Sequence, residues 1–370
     1  LTENRLTDLS SNLVDSSLFP YSNLRQLYRE TLSGSNISIL ETNGPFMGEL
    51  SLRSSIAGYV HSHKGIICDA NQIVIGSGTS YLLQILPSLF SERPVFLMED
   101  PGFSTTREIV KEALCTIAGI PVDEEGASID AIRRAGEKFS KNNLLLHISP
   151  SHQFPLGTTM TAPRRASIIK WANRDAKRYI IEDDYDSDFR YNGHPIPSIK
   201  SMDTEGRVIY IGTFSRTLSP SLRISYMILP PSLLENYEKR YSKFPCPVSR
   251  LDQKVISMFM DGGYFERHIS RMRRIYKGRR NSLTAEIRKY IPDTEIKGSE
   301  AGLHFIAKFP IPENAFIACA EKAGFRLRGT GTGWIILGYA HLSEDDIKRF
   351  GVFLQTLQGH FPVLYNIDVR

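Results

Sequence analysis

From Gln72 to Met227, short apolar runs rich in β-branched residues alternate with segments of helical period. IVIG at 73–76 is followed by a helical pattern over 79–90. PVFLMED at 94–100 precedes a helix near 104–114, and a strand near 115–120 and a helix near 128–139 come next. LLLHIS at 144–149, a helix over 163–177, RYIIED at 178–183, VIYIG at 208–212 and ISYMIL at 224–229 complete the series. Strands apolar throughout, with helices between them, predict a mostly parallel sheet covered on both faces. Sites in such sheets sit beyond the carboxyl ends of the strands.

After Pro230 the pattern changes. Long amphipathic helices over 232–243, 249–260 and 263–290 lead to shorter strands near 303–308 and 334–339 and a last helix from Ser343. This divides the chain into a segment 1–45, a large domain 46–244 and a smaller α+β domain 245–370. The first segment is expected to wrap onto the small domain or onto a partner subunit. GTGTGW at 329–334 has glycine at alternate positions, but no helix start follows as a dinucleotide fingerprint requires, so it reads as a turn.

Composition narrows the class. With 41% hydrophobic and 23% charged residues in 370, the chain is an ordinary globular one, and a net charge of +5 is too mild to argue for nucleic acid. The basic run ERHISRMRRIYKGRR at 266–280 also carries Ile269, Met272, Ile275 and Tyr276 at helical spacing, so it reads as the solvated face of a long helix. Cys68, Cys115, Cys246 and Cys319 show no CxxC spacing, which argues against a zinc site or disulfide framework and for a reducing cytoplasm. No apolar run reaches transmembrane length, and the polar start LTENRLTDLSSNLVDSS has no signal-peptide core. It also lacks an initiator methionine, so the chain reads as a piece of something longer.

The unusual residues fall at strand ends. SGTS at 77–80 suits an anion cradle, because small residues and a helix N-terminus present free N–H groups; taken alone, an ordinary βα turn capped by Ser77 or Thr79 is the favoured reading. IEDDYDSDFRY at 181–191 puts acids and a tyrosine where a buried carboxylate needs a cationic partner such as a protonated ring nitrogen; a solvated acidic loop is the alternative. SPSHQFPLG at 149–157 is a loop offering His152 and Gln153, with no second ligand at metal spacing. EDPGF at 99–103 places Phe103 either in the core or against a flat ligand. GTFSRTLSPSLRISYM at 212–227 supplies Thr213, Ser215, Arg216 and Arg223.

In this order and spacing, SPSHQFPLG, IEDDYDSDFRY, YIGTFSRTLSPSLRISYM and GGYFERHISRMRRIYKGRR resemble the aminotransferase-like part of MocR/GabR-type bacterial transcription regulators, including PdxR-like and DdlR-like members. The wider likeness is to fold-type-I enzymes that use pyridoxal 5′-phosphate (PLP), and it runs from about residue 19 to 347. The resemblance implies that Asp183 pairs with the pyridine nitrogen and Tyr185 with the ring hydroxyl. It implies that Ser77, Gly78, Thr79 and Ser80 hold the phosphate with Thr213, Ser215 and Arg223. Phe103 would stack on the ring, and His152 and Gln153 would line its other edge.

Two positions depart from the family. Its Schiff-base lysine falls on Arg216, and a guanidinium stays protonated and offers no nucleophilic lone pair. The expectation is therefore no catalytic residue, no transamination and PLP held noncovalently, with Arg216 against the phosphate or the aldehyde. Ile336 stands where the family's carboxylate-binding arginine would be, leaving Arg107, Arg326 and Arg328 as unassigned substitutes. The resemblance implies a cytoplasmic homodimer sensing PLP, an amino acid, an amine or a dipeptide. DNA contact would belong to a winged helix-turn-helix ahead of residue 1. A working aminotransferase and a PLP-free scaffold are the other readings.

Overall fold

The computed structural model describes residues 6–10, 13–33, 41–193 and 196–358. Its strands are β1 (Thr7–Asp8), β2 (Ile73–Gly76), β3 (Val95–Asp100), β4 (Thr116–Asp123), β5 (Gly126–Ala127), β6 (Leu144–Ile148), β7 (Arg178–Asp184), β8 (Val208–Thr213), β9 (Ser225–Ile228), β10 (Glu295–Lys297), β11 (His304–Lys308), β12 (Phe325–Arg326), β13 (Arg328–Gly329) and β14 (Ile335–Gly338). Its helices are α1 (Tyr21–Thr31), α2 (Leu50–Lys64), α3 (Thr79–Ile85), α4 (Ser104–Glu112), α5 (Ile129–Lys138), α6 (Ala162–Ala172), α7 (Pro231–Tyr241), α8 (Arg250–Asp261), α9 (Tyr264–Tyr290), α10 (Glu313–Lys322) and α11 (Glu344–Gln358).

Eight strands form one sheet in the order β2-β9-β8-β7-β6-β3-β4-β5. The neighbours from β8 to β4 run parallel, while β9 is antiparallel to both β2 and β8. This is the mostly parallel sheet expected from the continuous apolar runs. A second, antiparallel sheet has the order β10-β11-β14-β13. Residues 7–8 pair in parallel with 325–326, so the described start of the chain lies against the second half. Helix α1 follows it there, with Tyr28 donating to Asp252 of α8 at 2.5 Å.

Strand alternation sorts the buried side chains of β7. Tyr179 and Ile181 pack with Leu145, Ile209, Ile211 and helices α3 and α7 on one face. Ile180 packs with Leu144, Leu146 and helices α5 and α6 on the other. Continuing the two rows, Asp183 emerges on the first face and Glu182 and Asp184 on the second.

Several boundaries differ from the sequence reading. The helix over 79–90 stops at Ile85 and continues as a 3-10 turn, Leu86–Leu89, because Pro87 cannot donate to an α-helical ladder. The helix over 163–177 ends at Ala172. The strand near 115–120 runs on to Asp123 and folds back onto β5. The basic run lies in α9, with Ile269, Met272 and Tyr276 buried and Arg271, Arg273 and Arg274 exposed, as its periodicity predicts. GTGTGW forms the turn between β13 and β14, where Glu313 accepts from Gly331 and Gly333.

Candidate functional site

At the end of β2, Gly78 is the N-cap of α3 with φ +95°, and no side chain caps the helix. Neither Ser77 nor Thr79 therefore acts as the cap, and the first N–H groups of α3, with half-buried Thr79 and Ser80, lack a side-chain acceptor there. A Cβ at Gly78 would lie 2.6 Å from Nη2 of Arg223, so the missing side chain is what lets this guanidinium lie against the turn. Arg223 Nη2 donates to Ser77 O at 3.3 Å, and Arg223 itself has φ +51°, an uncommon backbone state for a residue with a Cβ. Thr213 faces Ser225 across the β8–β9 pair; its hydroxyl accepts from Ser225 Oγ at 2.8 Å and from the Ser215 amide at 3.1 Å. The structure thus gathers Ser77, Gly78 and Arg223 in one corner and Thr213 with Ser215 in an adjoining turn.

Asp183 is buried at the end of β7. His147, in the adjacent strand β6, brings Nε2 to 3.2 Å from Asp183 Oδ2, within ion-pair reach but without hydrogen-bond alignment. Nearby, Phe103 stacks on Phe154 with centroids 4.5 Å apart and 5° between planes, and meets the Tyr185 edge at 5.3 Å. One face of Phe103 is therefore covered by Phe154, and a planar ligand must use the other face or displace Phe154.

The Tyr185 hydroxyl donates to His152 O at 2.8 Å and lies 3.1 Å from His152 Nδ1. His152 Nδ1 is 2.9 Å from Asp186 Oδ2. Burial alone would lower the His152 pKa; the Asp186 carboxylate beside it outweighs that and raises it. Gln153 clips the loop, its amide nitrogen donating to Pro101 O at 2.8 Å and Phe154 O at 2.7 Å. His152 and Gln153 are thus each held by neighbouring protein groups.

Arg216 follows β8 in a half-buried turn. Burial lowers its pKa, while Tyr185, Asp186 and Asp183, in that order, act to raise it, so the guanidinium lies in the field of the Asp183 cluster. Of the possible carboxylate grips, Arg107 is tied to Glu99 O at 2.9 Å, Arg326 reaches Asp8 at 3.4 Å and Arg328 is exposed. Ile336 is buried in β14.

Sequence reasoning missed His147, Glu99, Phe154, Asp186 and His304. Burial pushes the Glu99 carboxyl up to about 8, although its Oε2 accepts from the Ser149 amide at 3.2 Å. Nε2 of His304, in β11, donates to Pro155 O at 3.0 Å, and burial with neighbouring His152 holds the imidazole neutral. His152, Asp186 and His304 bring ligand-type atoms within 4.8 Å of one another. The first two are already joined, and a Cβ on Gly302 would fall 2.1 Å from His152 Nδ1, so the backbone crowds the space a metal ion would need. The trio reads as a buried cluster joining the two sheets.

Comparison with known proteins agrees with this architecture. The family model "Aminotransferase class I and II" matches residues 6–350. An uncharacterised HTH-type transcriptional regulator of Bacillus subtilis, YhdI, is 37% identical over 352 residues, covering 92% of this chain and 73% of its own. The probable rhizopine catabolism regulatory protein MocR of Rhizobium meliloti is 34% identical over 265 residues, 71% of this chain and 52% of that protein. The crystal structure of Pyrococcus horikoshii kynurenine aminotransferase superposes with a TM-score of 0.83 at 25% identity, covering 96% of this chain and 92% of the other.

Proposed function

The chain belongs to the aminotransferase class I and II family and, within it, to the MocR-type transcriptional regulators; on that premise we propose that it is an effector-binding part that holds PLP without a covalent bond. The residues present suit the cofactor. Arg223 and the open turn at Gly78 offer N–H donors to a phosphate, for which a guanidinium fork is well matched. Asp183 offers a carboxylate to a protonated ring nitrogen, and Phe103 a flat partner. PLP, when bound, would supply an electrophilic aldehyde and a strong negative charge. Thr213 and Ser215 would orient the phosphate end, and His147 and Tyr185 would hold the ring end.

The reading rests on Arg216, which lies in the field of Tyr185, Asp186 and Asp183 and which the resemblance aligns with the family's lysine. A guanidinium neither attacks the aldehyde nor moves a proton near neutral pH. The chain then signals by differential affinity of two subunit arrangements for the occupied and empty site, as a homodimer whose DNA contacts lie outside residues 1–370. An amino acid, amine or dipeptide is the class of effector that would meet the bound aldehyde.

The test is a PLP titration of this chain followed by absorbance, then borohydride reduction and mass spectrometry. Saturable binding without a mass adduct is expected. A trapped adduct, or turnover of an amino donor with a keto acid, would overturn the reading; absence of binding would make the fold a cofactor-free scaffold.

A further inference from the structure

The loop after β6 and the segment between β10 and β11 belong to different sheets, and they meet without side chains. A Cβ on Gly298 would lie 2.6 Å from the Cα of Gly157, and the two glycines have φ of +76° and +70°. This approach brings Gly298 O to 3.3 Å from His152 Nε2. The other end of the imidazole faces Asp186 Oδ2 at 2.9 Å. It also faces the Tyr185 oxygen at 3.1 Å, whose proton is already given to His152 O.

The groups at both ends of the ring are acceptors. A neutral imidazole has one N–H and one lone pair, so it can serve only one end of this arrangement. Serving both requires a proton on each nitrogen. His152 is 1% exposed and Asp186 2%, so solvent does not screen the pair.

We propose that His152 is an imidazolium latch between the two sheets, closed while both nitrogens hold protons and opened at Gly298 when Nε2 gives its proton up. The charge-assisted bond to Asp186 keeps the other proton on Nδ1. Loss from Nε2 sets a lone pair against the Gly298 carbonyl, two acceptors facing each other in a buried place. The sheet on the Gly298 side also receives the described start of the chain, where Gly338 of β14 donates to Leu9 O at 2.7 Å. The latch does not depend on what the Asp183 chamber binds.

The surrounding groups fix the direction of the switch. Burial opposes the charge on His152, but Asp186 and Glu300 outweigh it and hold the pKa above its ordinary 6.5. Asp186 is itself pushed up by burial and Asp184, and held down by His152 and Arg216. Tyr185 and His304 stay neutral. The contact is therefore complete below about pH 6.5 and is lost as pH rises through the raised value.

Histidine-selective 15N labelling gives the first test, with the His152 signals identified by their loss in His152→Gln. Both ring nitrogens should be protonated at neutral pH, and an unprotonated one there would overturn the proposal. The second test is hydrogen exchange from neutral to alkaline pH, corrected for its intrinsic pH dependence. The Gly302 amide, which donates to Phe189 O at 2.8 Å, reports on the segment. Its protection should fall about fivefold or more across the titration, the worth of one net hydrogen bond, while that of β8 stays level. His152→Gln keeps a donor but cannot titrate, and should show no such step. Protection flat with pH in the unaltered chain, or the same step in His152→Gln, would sink the latch. The step in the unaltered chain needs no variant, so a poorly folding substitution leaves the test standing.

Discussion

His147 Nε2 lies 3.2 Å from Asp183 Oδ2, on the neighbouring strand and on the same face of the sheet. The carboxylate proposed to meet the cofactor ring is thus backed by a buried imidazole. Asp183→Ala should weaken PLP binding at least tenfold more than Arg216→Ala does, about 1.4 kcal/mol or more. Fluorescence titration of the two variants measures this, and an equal or smaller loss would remove Asp183 from the ring-nitrogen role.

Arg216→Lys restores an amine at the same point of the chain. The variant should give a PLP adduct that survives borohydride and denaturation, visible as a mass increase absent from the unaltered chain. A variant that binds PLP yet never yields the adduct would show that position 216 is not the family's lysine site.

Gly78→Ala places a Cβ 2.6 Å from Arg223 Nη2 at a backbone with φ +95°. The strain should cost about 1–3 kcal/mol of stability and displace the guanidinium from the turn. PLP and inorganic phosphate should both bind more weakly. Combined with Arg223→Gln, the losses in phosphate affinity should be less than additive, because both changes remove one contact.

Glu99 gives a pH dependence. Its folded carboxyl is pushed up to about 8 by burial, from an ordinary value of 4.5. The stability it contributes is therefore complete below about pH 4.5 and is lost as pH rises through 8, at up to about 1.4 kcal/mol per unit. Glu99→Gln, which stays neutral, should gain on the unaltered chain between pH 5 and pH 9 in denaturant melts. A stability difference that is flat with pH would contradict this.

Lys64→Met should be the most damaging of these substitutions to the fold, at about 3–5 kcal/mol, because it strips Asp184 and Asp188 of their shared cation. Urea melts at neutral pH test it. PLP affinity, governed by the other face, should change far less than stability.

Much of the large sheet was legible because its central strands are buried on both faces and read as unbroken apolar runs. Helix α2 was not, since LSLRSSIAGYVHSHK mixes serine and histidine through both faces and gives little periodic signal. In the site, Asp183, Tyr185, Arg216 and Arg223 were found through resemblance to a family pattern. His147 sat inside LLLHI and looked like one more strand residue, and only strand pairing reveals that it meets Asp183. Glu99 was read as the lead-in to Phe103, because burial of a carboxylate is a tertiary property. Phe154 passed as loop punctuation beside Pro155, and its stack on Phe103 depends on a chain reversal no local pattern records.

The neighbouring carboxylates of β7 also limit how this chain can drift. A one-residue deletion just before Asp183 would hand each acid to the opposite side of the sheet, leaving Lys64 facing the wrong group and His147 facing Asp184. An insertion there would set the new residue opposite His147 and turn Asp183 toward Lys64. Length changes in this strand thus strike two separate chambers at once, while the turns bounding it tolerate them far more readily. The segment from Ile181 to Asp184 is consequently a place where point substitution is survivable and a frame of even one residue is not.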